Sequence, residues 1–368
     1  MPYRLTGGIQ HYAWGSRTEL AQLRGEAASE RPEAELWFGT HPALPSQIEI
    51  DGRHTPLREW LATRHLSDLP FLFKILAAEQ PLSIQTHPSK AQAERGFARD
   101  QAAGLGLTAA NRNYRDANHK PELICALGEF EALCGFRPAN EALALISALH
   151  VPELQPVVEH LAAGELHAAF EWLLRAEKSQ QAKWVGAAEH AARALTSRDE
   201  YRWVVELARL YPGDAGVVIS LLLNYVRLQR GEALYLPAGN LHAYLRGTGV
   251  EVMAASDNVL RGGLTPKHVD IDELLAVTVV EALRPPHLVP PVDERGVSVY
   301  VSPFAEFQLQ RLDSTEGVPV RGPALVWCEH GVTHCGEVAL HACEAGLIAA
   351  DESVVVSNHG CEWVVVVP

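Results

Sequence analysis

The stretch PLSIQTHPSK (residues 81–90) follows an apolar run, LPFLFKILAA (residues 69–78). A strand sends successive side chains to opposite faces, so Ser83, Gln85 and His87 share one face and alternate with Leu82, Ile84 and Thr86. No other feature constrains the fold as tightly. One side of this strand belongs to a core, and the other side holds an amide beside an imidazole. Short apolar runs bounded by Pro, Gly or Asp (residues 36–38, 46–50, 71–77 and 83–86) predict a strand-rich segment up to about residue 137. Residues 56–63 predict a short helix, and residues 91–106 a helix followed by a loop.

Composition shifts after Phe136. EALALISALH, VVEHLAAGELHAAFEWLLRAE, EHAARAL and DEYRWVVELARL place apolar residues three and four apart, which predicts four or five packed helices between residues 140 and 211. Strand character returns at residues 224–228 and 233–236. Asp270 and Glu273 have the spacing of a capping box ahead of LLAVTVVEAL, which predicts a helix there. After a proline-rich break, PPHLVPP, the runs VSVYVS, FQLQRL, ALVWCEH, EVALHA, SVVVSN and EWVVVV alternate with turns in the manner of a sandwich or jelly roll. The expected fold is mainly β with an α-helical insertion: two jelly-roll barrels plus a helical domain. The expected boundaries are 1–137 and 212–285 for a discontinuous metal-binding unit, 138–211 for the helices, and 286–368 for a degenerate second barrel.

Net charge is −14, from 45 acids against 31 bases. Such a surface argues against nucleic acid and anionic membranes as partners, and makes any local cluster of Lys and Arg informative. The N-terminus lacks a charged start followed by an apolar stretch, and no window is apolar enough to span a bilayer. Six cysteines without a CxxC pair predict reduced thiols. The expectation is a cytoplasmic protein, monomeric or a weak homo-oligomer.

GEALYLPAGNLH (residues 231–242) has the form G-x5-P-x-G-x2-H: a turn glycine, a strand, a Pro-x-Gly turn and a histidine opening the next strand. This resembles the second signature of the cupin superfamily, although Arg246 stands where that signature carries asparagine. In HKPEL (residues 119–123), Glu122 enters another strand beside Lys120 and His119. Gln85, His87, Glu122 and His242 together offer one amide oxygen, two imidazoles and one carboxylate, a set suited to zinc. One carboxylate leaves Zn²⁺ with a net charge of about +1, so a neutral Gln in place of a second acid preserves Lewis acidity.

These pieces, together with HYAWG, LWFGTHP, NYRDANHKPEL, GFRP and EVMAASDNVLRGGLTPKHVD, resemble the type I phosphomannose isomerases over roughly residues 1–275. The resemblance implies a zinc-dependent aldose–ketose isomerase, one Zn²⁺ per chain, acting on mannose 6-phosphate and fructose 6-phosphate. It places the zinc ligands on Gln85, His87, Glu122 and His242, and an active-site arginine on Arg261. Lys74, Lys120 and Glu251 fall in the active site, and with His119 they are the candidates for proton transfer. Burial of Lys74 beside Leu72 and Leu76 is expected to lower its pKa. Arg261 and Lys267 are candidates for the phosphate, with a helical turn expected at Thr265-Pro266. Ser83, Trp14 and Tyr244 are candidates for the pocket wall. A non-catalytic cupin that binds or senses a phosphosugar is the alternative. A cupin oxygenase is a third reading, disfavoured by Gln85 at a ligand position.

Overall fold

The computed structural model describes residues 2–350 and 352–368. It is mainly β, with 33% strand against 26% helix, and the helix is concentrated where the composition shifts. One long strand, His242–Ala254, organises the part that bears the candidate ligands. Its first residues pair with Ile84–Thr86 and Phe130–Phe136, while Gly247–Ala254 pair with Phe71–Ala78 and, from Gly249 on, with Glu122–Ala126. In a straight strand, residues 242 and 253 would lie about 36 Å apart. Yet Glu122, the register partner of Met253, touches His242. The strand therefore bends between its two sets of partners and folds one sheet over the other. Gly247 makes the turn at φ +125, where an added Cβ would meet the Glu129 carbonyl oxygen at 2.6 Å.

Period-two alternation then decides what each face does. His242 and Tyr244 point between the sheets, where Tyr244 packs with Leu76, Ile124 and Phe130. Ala243, Leu245 and Ile84 point outward into a core shared with the helices. Those helices run Ala139–Ser147, Gln155–Ala162, Leu166–Arg175, Lys178–Ala192 and Asp199–Leu210, and their apolar stripes cover the outer face of the sheet that carries the histidines. On the other sheet, Lys74, Glu122 and Glu251 share the inward parity, whereas Phe73, Ile75, Leu123, Cys125 and Val250 point outward into a second core.

That second core is formed against an eight-stranded sheet, and here the expected boundaries are crossed. Tyr3–Thr6, Gln47–Ile50 and Arg53–Pro56 were placed by sequence with the metal-binding unit. They are hydrogen-bonded instead into one sheet with Val297–Tyr300, Gln308–Asp313, Cys361–Val366, Ala324–His330 and Ala345–Ile348. The sheet is buried on both faces. Trp327 and Trp363 face the second core, and Val326, Cys328 and Val364 face a third core under the four-stranded sheet of the C-terminal segment. The N-terminal strands satisfy an edge that would otherwise present open backbone groups.

Two local expectations also change. The helix after residue 270 is Ile271–Val277, shorter than LLAVTVVEAL suggested, and Thr278 is already extended. Half of the capping box is present: Asp270 accepts the Glu273 N–H at 3.1 Å. The Glu273 carboxylate goes instead to Arg99 and to the Tyr114 hydroxyl.

Inside the C-terminal segment, Glu362 is fully buried and accepts the Thr333 hydroxyl at 2.6 Å, while its second oxygen has no hydrogen-bond partner. Burial pushes its carboxyl up to about 7, despite the opposing bonds from Thr333 and Asn358. The folded state therefore holds this proton more tightly than the unfolded chain, whose glutamates titrate near 4.3. The contribution is complete below about pH 4, declines as pH rises from there to 7, and is gone above that, a loss of roughly 3–4 kcal/mol. Melting curves from pH 4 to 8 should show that decline, and Glu362→Gln should flatten it. An equally steep decline in the variant would assign the pH dependence elsewhere.

Candidate metal centre and substrate pocket

His87 and His242 are each tied at Nδ1 to a backbone carbonyl, His87 to Asn258 at 2.7 Å and His242 to Asn240 at 3.0 Å. Those bonds put the proton on Nδ1 and leave the Nε2 lone pair free. Both Nε2 atoms lie 3.3 Å from Glu122 Oε2, and all three side chains are buried. Neither His87 Nε2 nor Glu122 Oε2 has a hydrogen-bond partner. Burial holds His87 down to about 4, against the upward pull of Glu122, so the imidazole is neutral. Burial opposes ionisation of Glu122, but Lys120 and the two imidazoles outweigh it and hold the carboxyl well below the usual range. Two lone pairs and an anionic oxygen converging without a proton between them form a cradle for a cation. Among the described residues this is the one group of three such side chains close enough to share a metal ion.

The chain pairing explains why they meet. His242 sits opposite Gln85 across the sheet, and the Gly239 N–H binds the His87 carbonyl at 2.8 Å, fastening the Pro237–Gly239 turn to the strand of the polar stripe. Gly239 has φ +79, and an added Cβ would lie 2.6 Å from Val279. The Gln85 amide reaches the same centre, 3.5 Å from His242 Nε2, and a half-turn of the amide presents its oxygen there.

Beside the cradle is a buried charge network. Lys120 pairs with the second Glu122 oxygen at 2.8 Å. Lys74 pairs with Glu251 at 2.9 Å and with Glu35 at 3.5 Å, and lies over the Trp37 ring. The expected depression of Lys74 is reversed. Burial does push it down, but the two carboxylates outweigh burial and hold the ammonium protonated. One ammonium cannot compensate two buried acids equally. Glu35, the more distant, is pushed up by burial despite Lys74 and the bond from Trp37 Nε1.

The rim of the site carries cations. Arg261 lies opposite Gln85 in the neighbouring strand Leu260–Gly263. Burial and the nearby Arg115 push Arg261 down, and burial, Arg261 and Arg115 do the same to Lys267. Thr265-Pro266 does not open a helix; the Thr265 hydroxyl instead accepts the Lys267 N–H at 3.1 Å. His119 is bonded through Nε2 to Glu306, a residue of the C-terminal segment. Ser83 is half-buried on the ligand strand, Tyr244 is buried between the sheets, and Trp14 stacks on Tyr12.

Several residues escaped the sequence reading. Glu35 and Trp37 carry the same period-two signal as the Gln85 stripe, in the strand Glu35–Phe38, and were findable. Arg115 had no local signal. It is brought in by buried Asn258, whose side chain binds the Arg115 N–H at 2.8 Å and the Asn118 carbonyl at 2.8 Å while its own carbonyl holds His87. Asp257, paired with His41 at 3.2 Å, was likewise invisible.

The chain matches the family profile "Phosphomannose isomerase type I, catalytic domain" over residues 3–139. It is 38% identical to the mannose-6-phosphate isomerase of Escherichia coli K12, covering 97% of each chain, and 36% identical to that of Homo sapiens over 74% of this chain and 71% of the relative. Its fold superposes on the crystal structure of mannose 6-phosphate isomerase from Salmonella typhimurium bound to fructose 6-phosphate and zinc, with a TM-score of 0.89 and 35% identity over 99% of both chains.

Proposed function

The chain belongs to the type I phosphomannose isomerase family, and on that premise we infer that its site interconverts mannose 6-phosphate and fructose 6-phosphate with a bound zinc ion. The observation that carries the reading is the convergence of His87 Nε2, His242 Nε2 and Glu122 Oε2 with no proton between them. Gln85 completes the ligand set as its neutral member. Zinc, when bound, polarises the substrate oxygens and stabilises the negative charge that develops on them.

The remaining chemistry belongs to the protein. The reaction opens the ring, removes the C2 proton, and returns a proton to C1 through an enediol(ate). Lys120 neutralises the far oxygen of Glu122 and keeps that carboxylate pointed at the ligand centre. Lys74 is a fixed positive charge rather than a base, so its field stabilises an anionic intermediate. We assign proton movement to Glu251 and His119: Glu251 is a carboxylate held in place by Lys74, and His119 keeps its Nδ1 free at the partly open rim. Arg261, Lys267 and Arg115 make no ion pair among the described residues, and their mutual repulsion is relieved by a phosphate dianion. Ser83, Trp14 and Tyr244 line the same cleft. The paired sheets that share His242–Ala254 suit a cupin jelly roll, and the C-terminal sheets a second one. Six unpaired cysteines suit the reducing cytoplasm.

A coupled assay with mannose 6-phosphate tests the reading. Turnover should vanish after chelation and return with zinc. Full turnover by metal-free protein would overturn it, and an intact phosphate site without turnover would favour a sensor.

A further inference from the structure

Asn258 lies fully buried in the loop between His242–Ala254 and Leu260–Gly263. Its backbone carbonyl accepts the Nδ1–H of His87 at 2.7 Å, and His87 Nε2 is 3.3 Å from Glu122 Oε2. That bond reaches the metal cradle directly. The side chain is fully used as well. Oδ1 accepts the backbone N–H groups of Arg115 and Asp116 at 2.8 and 3.3 Å, and Nδ2 donates to the backbone carbonyls of Asp116 and Asn118 at 2.9 and 2.8 Å. Two N–H groups on one side and two carbonyls on the other fix which way the amide faces. An aspartate of the same shape could not donate to the carbonyls. Asp116 returns the contact, its carboxylate accepting the Asp257 N–H and the Ser256 hydroxyl, each at 2.8 Å. Residues 255–258 and 115–118 are thus tied into one knot.

The knot carries a cation on either side. Arg261 follows Asn258 by three residues, and Arg115 is the residue whose N–H the amide holds. Burial first, and then the Arg115 charge, disfavour the Arg261 cation, so the two guanidinium groups lie within reach of each other's field. We propose that Asn258 is a positioning residue for both halves of the site: its carbonyl sets the His87 ring for the metal, and its amide sets Arg115 beside Arg261 for the substrate phosphate. One buried side chain therefore fixes the spacing between the metal and the anion.

The proposal rests on the zinc and phosphosugar reading above, and binding measurements separate the two. Zinc affinity is read by competition with a chelating dye, starting from metal-free protein. Fructose 6-phosphate binding is read by calorimetry on the same metal-free protein, and melting temperatures check folding. Asn258→Ala should weaken zinc roughly tenfold, the scale of lost support behind a ligating histidine. It should weaken fructose 6-phosphate by about tenfold too, the scale of one lost charge-assisted contact. Arg115→Ala, which touches no bond to His87, should weaken the sugar phosphate as much and leave zinc unchanged. Added to Asn258→Ala, it should cost the sugar phosphate little further, because both substitutions remove the same contact. Ser256→Ala loosens the knot more gently, losing the hydroxyl bonds to Asp116 and to the Asn118 carbonyl, and should shift both affinities the same way by less. A wild-type chain that binds neither zinc nor fructose 6-phosphate overturns the reading and the proposal together. Where the wild type binds both, a folded Asn258→Ala with undiminished affinity for either ligand overturns the proposal alone. If Asn258→Ala does not fold, Ser256→Ala decides, and unchanged affinities in that variant overturn the proposal.

Discussion

Glu122→Gln is expected to abolish isomerisation, lowering kcat by roughly 10³-fold, the equivalent of the several kcal/mol of charge stabilisation that a catalytic metal supplies. Two consequences of the geometry combine. Glu122 Oε2 is the anionic corner of the cradle, 3.3 Å from each Nε2, and an amide there offers weaker donation and no charge. Glu122 Oε1 is also the partner of Lys120 at 2.8 Å, and losing it strands a buried ammonium without its carboxylate. Zinc content by atomic absorption should fall well below one ion per chain. Zinc retained at full stoichiometry with undiminished turnover would remove Glu122 from the ligand set.

The second large effect is expected at Lys74. Lys74→Met keeps the length and apolar stem of the side chain but leaves Glu251 and Glu35 facing each other without a cation. Removing one partner of a buried pair costs about 3–5 kcal/mol, because the charge left behind is neither solvated nor compensated. Lys74 and Glu251 are almost completely sequestered, so solvent screening does little to soften that figure. The denaturant midpoint should drop accordingly, and activity should go with it. Adding Glu35→Gln should recover part of the lost stability, since only one uncompensated carboxylate then remains. A double variant no more stable than Lys74→Met would mean that Glu35 does not share the lysine.

Much of the site was legible because strands encode faces locally. Period two alone put Ser83, Gln85 and His87 together, and the Pro-x-Gly turn put His242 at the start of the next strand. Turn chemistry and apolar spacing likewise located the helices between Ala139–Ser147 and Asp199–Leu210. Glu35 carries the same local signal, set among more apolar neighbours in its strand.

What the sequence determines by itself is therefore which side chains share a face, and the chemical kind of the ligand set. Only the tertiary structure decides which faces meet. The bend at Gly247 brings Glu122 to His242, and Asn258 brings Arg115 to the rim. The direction of the Lys74 pKa shift reverses for the same reason. Burial is predictable from apolar neighbours in the sequence, whereas Glu251 lies 177 residues away and its attraction for the ammonium depends on distance in space. The N-terminal strands that complete the C-terminal sheet and the Glu306–His119 contact belong to this second class, since both join segments that no local pattern relates.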